Sequence, residues 1–128
     1  MLDADVRELA QARTLAILTT LMPDGGPQSS AVWPHADAEH LLVTTGTARR
    51  KYRNVAADPR VALLLLDGVD PRRYIEVRGR VVDLVTGEAA LAVARTAFTK
   101  WTGSDVVRPT DGERVLLRIL PDRVYRKD

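Results

Sequence analysis

The sequence contains no cysteine, which excludes disulfides, thiolate zinc sites and a cysteine nucleophile. No run of 18 apolar residues occurs, so no segment reads as a membrane-spanning helix. The start, Met1-Leu2-Asp3-Ala4-Asp5, lacks the basic-then-apolar order of a secretory signal. The expectation is a soluble, cytoplasmic protein with no membrane partner. Aromatic residues are scarce at 5%. An aromatic site would have to come from Trp33, Tyr52, Tyr74, Phe98, Trp101 and Tyr125. Neither sign of charge dominates: the net charge is +2, although the pI is near 9.3. Overall charge therefore gives no case for nucleic acid.

The usual catalytic and nucleotide motifs are also missing. No Gly-x-Gly-x-x-Gly follows a strand and no Gly-x-x-x-x-Gly-Lys exists, which removes Rossmann and P-loop sites. His35 and His40 flank a turn without further ligands at metal-binding spacing, so they read as solvated turn histidines and no metal site is expected. Ser29-Ser30 has no nucleophile-elbow context. Asp67 and Asp70 fall in a turn, where carboxylates bond local backbone. No residue is assigned a catalytic role, and any hard chemistry would belong to a bound cofactor.

What is present suits one domain over residues 1–128, with 45% hydrophobic and 28% charged residues. Residues 3–12 read as a helix capped by Asp3, with Leu2, Val6, Leu9 and Ala10 on one stripe. Residues 15–21 and 28–33 form a hairpin around Pro23-Asp24-Gly25-Gly26-Pro27. After a turn at 34–39 comes a strand at 40–45. A helix at 47–57 has Tyr52, Val55 and Ala56 on one face and stops at Asp58-Pro59. The apolar run Val61 to Leu66 reads as a buried strand. Residues 74–85 alternate, Tyr74, Glu76, Arg78 and Arg80 facing one way, and Gly79 marks a bulge. A helix over 88–101, with Leu91, Arg95 and Phe98 spaced along it, is capped by Thr86 and ends at Gly103. A polar loop at 104–112, a strand at 113–120 and a short Val124-Tyr125 extension complete the chain. Short turns favour antiparallel pairing. The fold class is mainly β (α+β), a six-stranded antiparallel barrel with about three short helices.

The informative segment is Arg49-Arg50-Lys51-Tyr52-Arg53, which opens a helix directly after a strand and the Thr45-Gly46-Thr47 turn. A helix N-terminus disfavours cations and attracts anions. A phosphate would resolve this conflict, taking backbone N–H groups, the Thr45 and Thr47 hydroxyls and the basic side chains together. The alternative is a solvated basic face paired with Asp58, Glu39 or another acid. The cluster is short and interleaved only by Tyr52, which weighs against a nucleic-acid patch.

The order of several stretches resembles the split β-barrel flavin and deazaflavin oxidoreductases, which include the pyridoxamine-phosphate-oxidase-like (PNPOx-like, FMN-binding) proteins. These stretches are Leu18-Thr19-Thr20-Leu21-Met22-Pro23-Asp24-Gly25, Pro27-Gln28-Ser29-Ser30-Ala31-Val32-Trp33, Leu42-Val43-Thr44-Thr45, Ala48-Arg49-Arg50-Lys51-Tyr52-Arg53-Asn54, Asp58-Pro59-Arg60-Val61-Ala62-Leu63 and Tyr74-Ile75-Glu76-Val77-Arg78-Gly79. The branch of probable F420-dependent enzymes is the most similar. The resemblance covers residues 10 to 85 well and the last strand loosely.

It implies a homodimer with cofactor sites at the subunit interface. It further implies that Arg49 and Lys51 hold the cofactor phosphate and that Gln28, Ser30, Ala31 and Val32 lie along the ring system; Arg50 and Arg53 are left for a tail beyond the phosphate or for solvent. Tyr74 matches an aromatic position reaching the site from the partner subunit. Trp33, beside Pro34, either walls the pocket or packs at the dimer contact. One departure decides between cofactors. The enzymes that oxidise pyridoxamine phosphate carry an Arg-x-x-Leu-Leu-Lys strand where this chain reads Ser29-Ser30-Ala31-Val32-Trp33-Pro34. The resemblance then favours coenzyme F420, whose oligoglutamate tail suits the surplus arginines, over FMN. The implied activity is hydride transfer from reduced deazaflavin to a small conjugated organic substrate. An FMN-dependent oxidoreductase and a non-catalytic cofactor carrier or sensor are the other readings. Substrate contacts are expected from the loops at 67–73 and 104–112.

Overall fold

The computed structural model describes residues 1–127. Its elements run α1 (Ala4–Gln11), β1 (Ala16–Leu21), β2 (Pro27–Val32), β3 (His35–Ala36), β4 (Leu41–Gly46), α2 (Arg50–Ala57), β5 (Arg60–Leu66), β6 (Tyr74–Thr86), α3 (Glu88–Thr102) and β7 (Arg114–Lys127). The strands form one antiparallel sheet in the order β2-β1-β5-β6-β7-β4-β3. The outermost strands, β2 and β3, are consecutive in the chain and separated only by Trp33 and Pro34. Such a short link forces the two free edges together, so the sheet rolls into a barrel that stays split along this seam. The α+β split barrel expected from the sequence is thus present, with seven strands instead of six. The extra strand is the two-residue β3, inside what reads as a turn, where His35 and Ala36 pair with Leu42 and Leu41.

Strand alternation fills the interior. Ala16, Leu18 and Thr20 point inward from β1, Val61, Leu63 and Leu65 from β5, and Ile75, Val77 and Val81 from β6. The run Val61 to Leu66 is therefore not buried on both faces. Ala62, Leu64 and Leu66 are half-exposed on the outer face, where Leu64 lies between Ile17 and Glu76 in the register. Gly79 does mark a bulge: the β6–β7 register shifts beside it. A side chain there would meet the Leu120 carbonyl oxygen at 2.3 Å. Pro121 stands opposite Gly79, where an irregular ladder tolerates a residue without an N–H. As a result β7 continues through Pro121 to Lys127, well past the expected stop.

Asp3 caps α1 as expected, accepting from the N–H groups of Asp5 and Val6. Three other helical expectations are corrected. Gly87, with φ +80°, precedes α3 in place of a Thr86 cap. The buried stripe of α3 is Ala90, Ala94 and Ala97, because small side chains let the helix lie close against Leu42 and Leu116 of the sheet. On α2, Asn54 is buried and Ala56 exposed. The Asn54 amide donates to the Thr20 hydroxyl at 3.0 Å, tying α2 to β1.

The seam is closed from outside by α3. Lys100 Nζ donates to the carbonyl oxygens of Ala10 (3.2 Å), Ala12 (3.2 Å) and Pro34 (2.7 Å). It thereby joins α3, the end of α1 and the β2–β3 link. Trp33 meets Phe98 edge-on at 5.1 Å between centroids and stacks on Trp101 at 5.4 Å. The Arg13 guanidinium sits 4.6 Å from the Trp101 ring centre, a cation–π contact. His35 is half-buried in this packing, not solvated, and burial holds its pKa below the ordinary value.

Burial also pulls the Lys100 ammonium down to about 8. Between that value and the ordinary lysine value the unfolded chain binds more protons than the folded one, so this group makes stability rise with pH across the window. Lys100→Met should lower the melting temperature at pH 7 by disconnecting three carbonyls. It should also flatten the stability difference between pH 8 and 10.5, measured by urea unfolding of both proteins across that range.

Candidate functional site

Beside the seam, the barrel wall opens into a cavity of about 230 Å³. Its floor is the end of β2, and its apolar wall is Trp33 with Phe98. The Thr44, Thr45 and Thr110 side chains supply a hydroxyl-rich side, and Arg49, Lys51 and Arg114 supply the charge. Five of the nine residues expected at a cofactor site, Ala31, Val32, Thr45, Arg49 and Lys51, are brought together here. No carboxylate and no histidine lines it among the described residues.

The local sequence explains how the charges arrive. Helix α2 begins at Arg50, with Arg49 as its N-cap in an extended conformation. No side chain caps it and no acid lies in its first turn, so the N–H groups of its first turn face outward without an internal acceptor. The preceding turn is different: the N–H of Thr47 donates to Glu113 O, that of Ala48 to Asp111 O and that of Arg49 to Gly46 O. The Thr47 hydroxyl accepts from the Glu113 N–H at 2.9 Å. It thereby helps to hold the 104–113 loop while its own O–H remains able to donate. Gly46 makes this docking possible, since a Cβ there would lie 2.1 Å from the Asp111 carbonyl oxygen.

Electrostatically the site is a cluster of cations short of partners. Burial and the nearby Arg49 charge both push the Lys51 amine below its ordinary value. Burial and Arg49 likewise depress Arg114. The acid at the rim is Asp111, whose carboxylate lies 3.3 Å from Arg49 Nε, both side chains being well exposed. Such a pair contributes little and yields readily to a better anion.

The remaining four expected residues lie elsewhere. Arg50 is exposed and outside the cavity. The Gln28 side-chain amide oxygen Oε1 accepts from the Thr20 hydroxyl at 3.3 Å, farther along β2. The Ser30 hydroxyl is buried with no partner; it shares a face of β2 with Val32. Tyr74 lines a separate concavity of about 560 Å³ on the outer sheet face, with Leu64, Glu76 and Tyr125. Asp67 and Asp70 do bond local backbone, Asp67 accepting from the N–H groups of Val69 and Asp70, and Asp70 from that of Arg72. Sequence reasoning missed Arg114, Thr44 and Phe98 as cavity residues, while Thr110 comes from the 104–112 loop expected to meet substrate. Arg114 carries no local signal: only the β4–β7 register, which sets it opposite Gly46, brings it to the site.

With the fold and the cavity described, the chain can be set beside known proteins. Residues 2–128 match the family described as pyridoxamine 5'-phosphate oxidase. The chain belongs to the pyridoxamine 5'-phosphate oxidase family. Among solved structures, an F420 reductase is 35% identical over 93% of this chain and 94% of its own, with a TM-score of 0.81. A conserved hypothetical protein from Mycobacterium tuberculosis is 26% identical, covering 100% of this chain and 85% of that one at a TM-score of 0.79. The heme storage protein HutZ from Vibrio cholerae, 18% identical over 98% of this chain and 94% of that one, shares the fold at a TM-score of 0.70. Membership of the pyridoxamine 5'-phosphate oxidase family accounts for the split barrel and makes a flavin-type site the frame in which the cationic cavity is read.

A bound anion would favour the charged form of Lys51, whose pKa burial and the Arg49 charge depress. Anion binding at alkaline pH is therefore expected to take up a proton, and affinity for inorganic phosphate to fall as pH rises through the depressed range. Lys51→Arg, which stays charged, should abolish the fall. Isothermal titration in buffers of different ionisation enthalpy reads both effects.

Proposed function

We propose that this protein is a coenzyme F420-dependent reductase acting on a small conjugated organic substrate. The observation that carries the reading is the juxtaposition of Lys51 and Arg49 with the Ala31-Val32-Trp33 end of β2 around one cavity that no carboxylate lines among the described residues. The 35% identity to an F420 reductase supports the choice of coenzyme. The residues fit such a group. The two cations have donors for its phosphate, and the buried, partnerless Ser30 hydroxyl is available to a polar edge of the rings.

When bound in reduced form, deazaflavin supplies a hydride, and solvent supplies the proton that completes a reduction. The chain's own part is to bind and orient. Lys51 and Arg49 fix the phosphate end, while Trp33 and Phe98 keep water from one wall. With no carboxylate or histidine lining the cavity among the described residues and Lys51 assigned to the phosphate, catalysis by this chain is positional.

The cavity's size argues for a second copy. Small-molecule sites typically enclose roughly 300–1,000 Å³, so about 230 Å³ houses the phosphate end and leaves the rings along β2 to be covered by something else. The outer sheet face presents the row Ala31, Ile17, Leu64, Glu76 and Tyr125 across β2, β1, β5, β6 and β7. Tyr125 is 60% exposed. A homodimer packed on this face gives Leu64 the cover its strand pattern calls for and lets Tyr74 approach the partner's site.

Two outcomes are expected. Light scattering should give twice the chain mass, and Leu64→Glu should yield a folded monomer with weakened F420 binding. Fluorescence titration should find F420 binding tighter than FMN, with the Lys51→Ala/Arg49→Ala double variant losing about a hundredfold or more in affinity. Unchanged affinity in that variant would sink the coenzyme assignment. Tight binding with no oxidation of the reduced coenzyme by quinones, enones or tetrapyrroles would make the protein a carrier.

A further inference from the structure

Three arginines of the described chain are partly buried: Arg95, Arg114 and Arg118. Arg95 faces Glu88 at 2.7 Å and Arg118 faces Asp83 at 2.7 Å. Arg114 faces no acid among the described residues. A guanidinium that gives up part of its hydration without a counter-charge is costly, and this one is nevertheless held in place. Its Nη2 donates to the Arg108 carbonyl oxygen at 2.8 Å, and its Nη1 makes a long bond to the Thr44 hydroxyl at 3.4 Å. Its fork has no further protein acceptor among the described residues. The loop that anchors it also carries Thr110, whose side chain lines the same cavity, and Asp111, which pairs with Arg49. One loop thus fixes the Arg114 guanidinium and brings Thr110 to the same cavity.

The three cavity cations form an array, not a point. Arg49, Lys51 and Arg114 line the same cavity, and the Arg49 charge bears on both of the others. Lys51 comes from the first turn of α2 and Arg114 from the start of β7, on the far side of Gly46. A compact anion meets one end of such an array, whereas an extended polyanion meets all of it.

We propose that Arg114, with the Thr44 and Thr110 hydroxyls, forms a second anion subsite that takes a negatively charged group beyond the phosphate held by Lys51 and Arg49. The ligand class is an elongated polyanion. In F420 the group would be a carboxylate of the tail, an extension that rests on the function proposed above; the subsite itself is tested without that coenzyme.

The probes are inorganic tripolyphosphate and inorganic phosphate, titrated calorimetrically into the full chain at fixed ionic strength. The wild type should bind tripolyphosphate more tightly than phosphate. Arg114→Gln should cost tenfold or more on tripolyphosphate while leaving phosphate within twofold, and Arg114→Lys should recover most of the loss. Lys51→Gln should weaken both probes. Arg50→Gln, exposed and outside the cavity, should change neither. The subsite is overturned if Arg114→Gln, with a wild-type melting temperature, leaves tripolyphosphate binding unchanged or weakens both probes equally. It is also overturned if Arg50→Gln matches its effect. If Arg114→Gln unfolds the chain, Arg114→Lys decides: tripolyphosphate binding as poor as that of Lys51→Gln overturns the subsite. With F420 as ligand, Arg114→Gln should lose affinity for the coenzyme but not for FMN. Failure of wild-type F420 binding would count against the coenzyme assignment alone.

Discussion

Two residues, Trp33 and Pro34, join strands at opposite edges of a seven-stranded sheet, and a link that short can be made only if the sheet curls until its edges meet. The curl defines an inside, which the alternating residues of β1, β5, β6 and β7 fill. It also leaves a seam where β2 and β3 lie near each other without a ladder. A seam of this kind exposes backbone groups and must be covered. Helix α3 does so, with its alanine stripe laid on the sheet, the Trp33–Phe98–Trp101 contacts over the link, and Lys100 bonded to three carbonyls across it. The anion cavity sits at this seam because that is where the wall is interrupted.

The same constraint shapes the charge. The β4 end and the β7 start are neighbours in the sheet, so the turn after β4 and the loop before β7 must share space. Gly46 supplies the room, and hydrogen bonds from Thr47 and Ala48 to that loop fix it. The outcome is one cavity receiving basic residues from two distant stretches of chain and only a weakly held carboxylate at its rim. The site spends folding energy on holding like charges together, a conflict of the kind expected where a ligand completes the structure.

Much of this was legible in advance, for identifiable reasons. Asp3 as a helix cap, the glycine-rich β1–β2 hairpin and the Gly79 bulge are local events, fixed by backbone conformations that few residue types adopt. The basic run at 49–53 stood out because cations at a helix start oppose the macrodipole. Gly87 replaced Thr86 at the start of α3, and Pro121 failed to end β7, because a positive φ and a bulge are settled by neighbours, not by propensity. Buried Asn54 was hidden in a polar-looking stretch, since its worth lies in a bond to Thr20, 34 residues away.

The sequence by itself determined which segments alternate as strands, where the chain turns, and that Lys51 and Arg49 would be displayed at the head of a helix. These follow from periods and dihedral preferences that act over a few residues. Only the tertiary structure decided that Arg114 joins them, that Thr47 helps to hold the loop, that Gln28, Ser30, Arg50 and Tyr74 fall outside the cavity, and that Leu64 and Leu66 face outward. Each of these depends on strand order and register. A sheet pairs residues by position in space, and no short-range pattern encodes which distant strand will lie alongside.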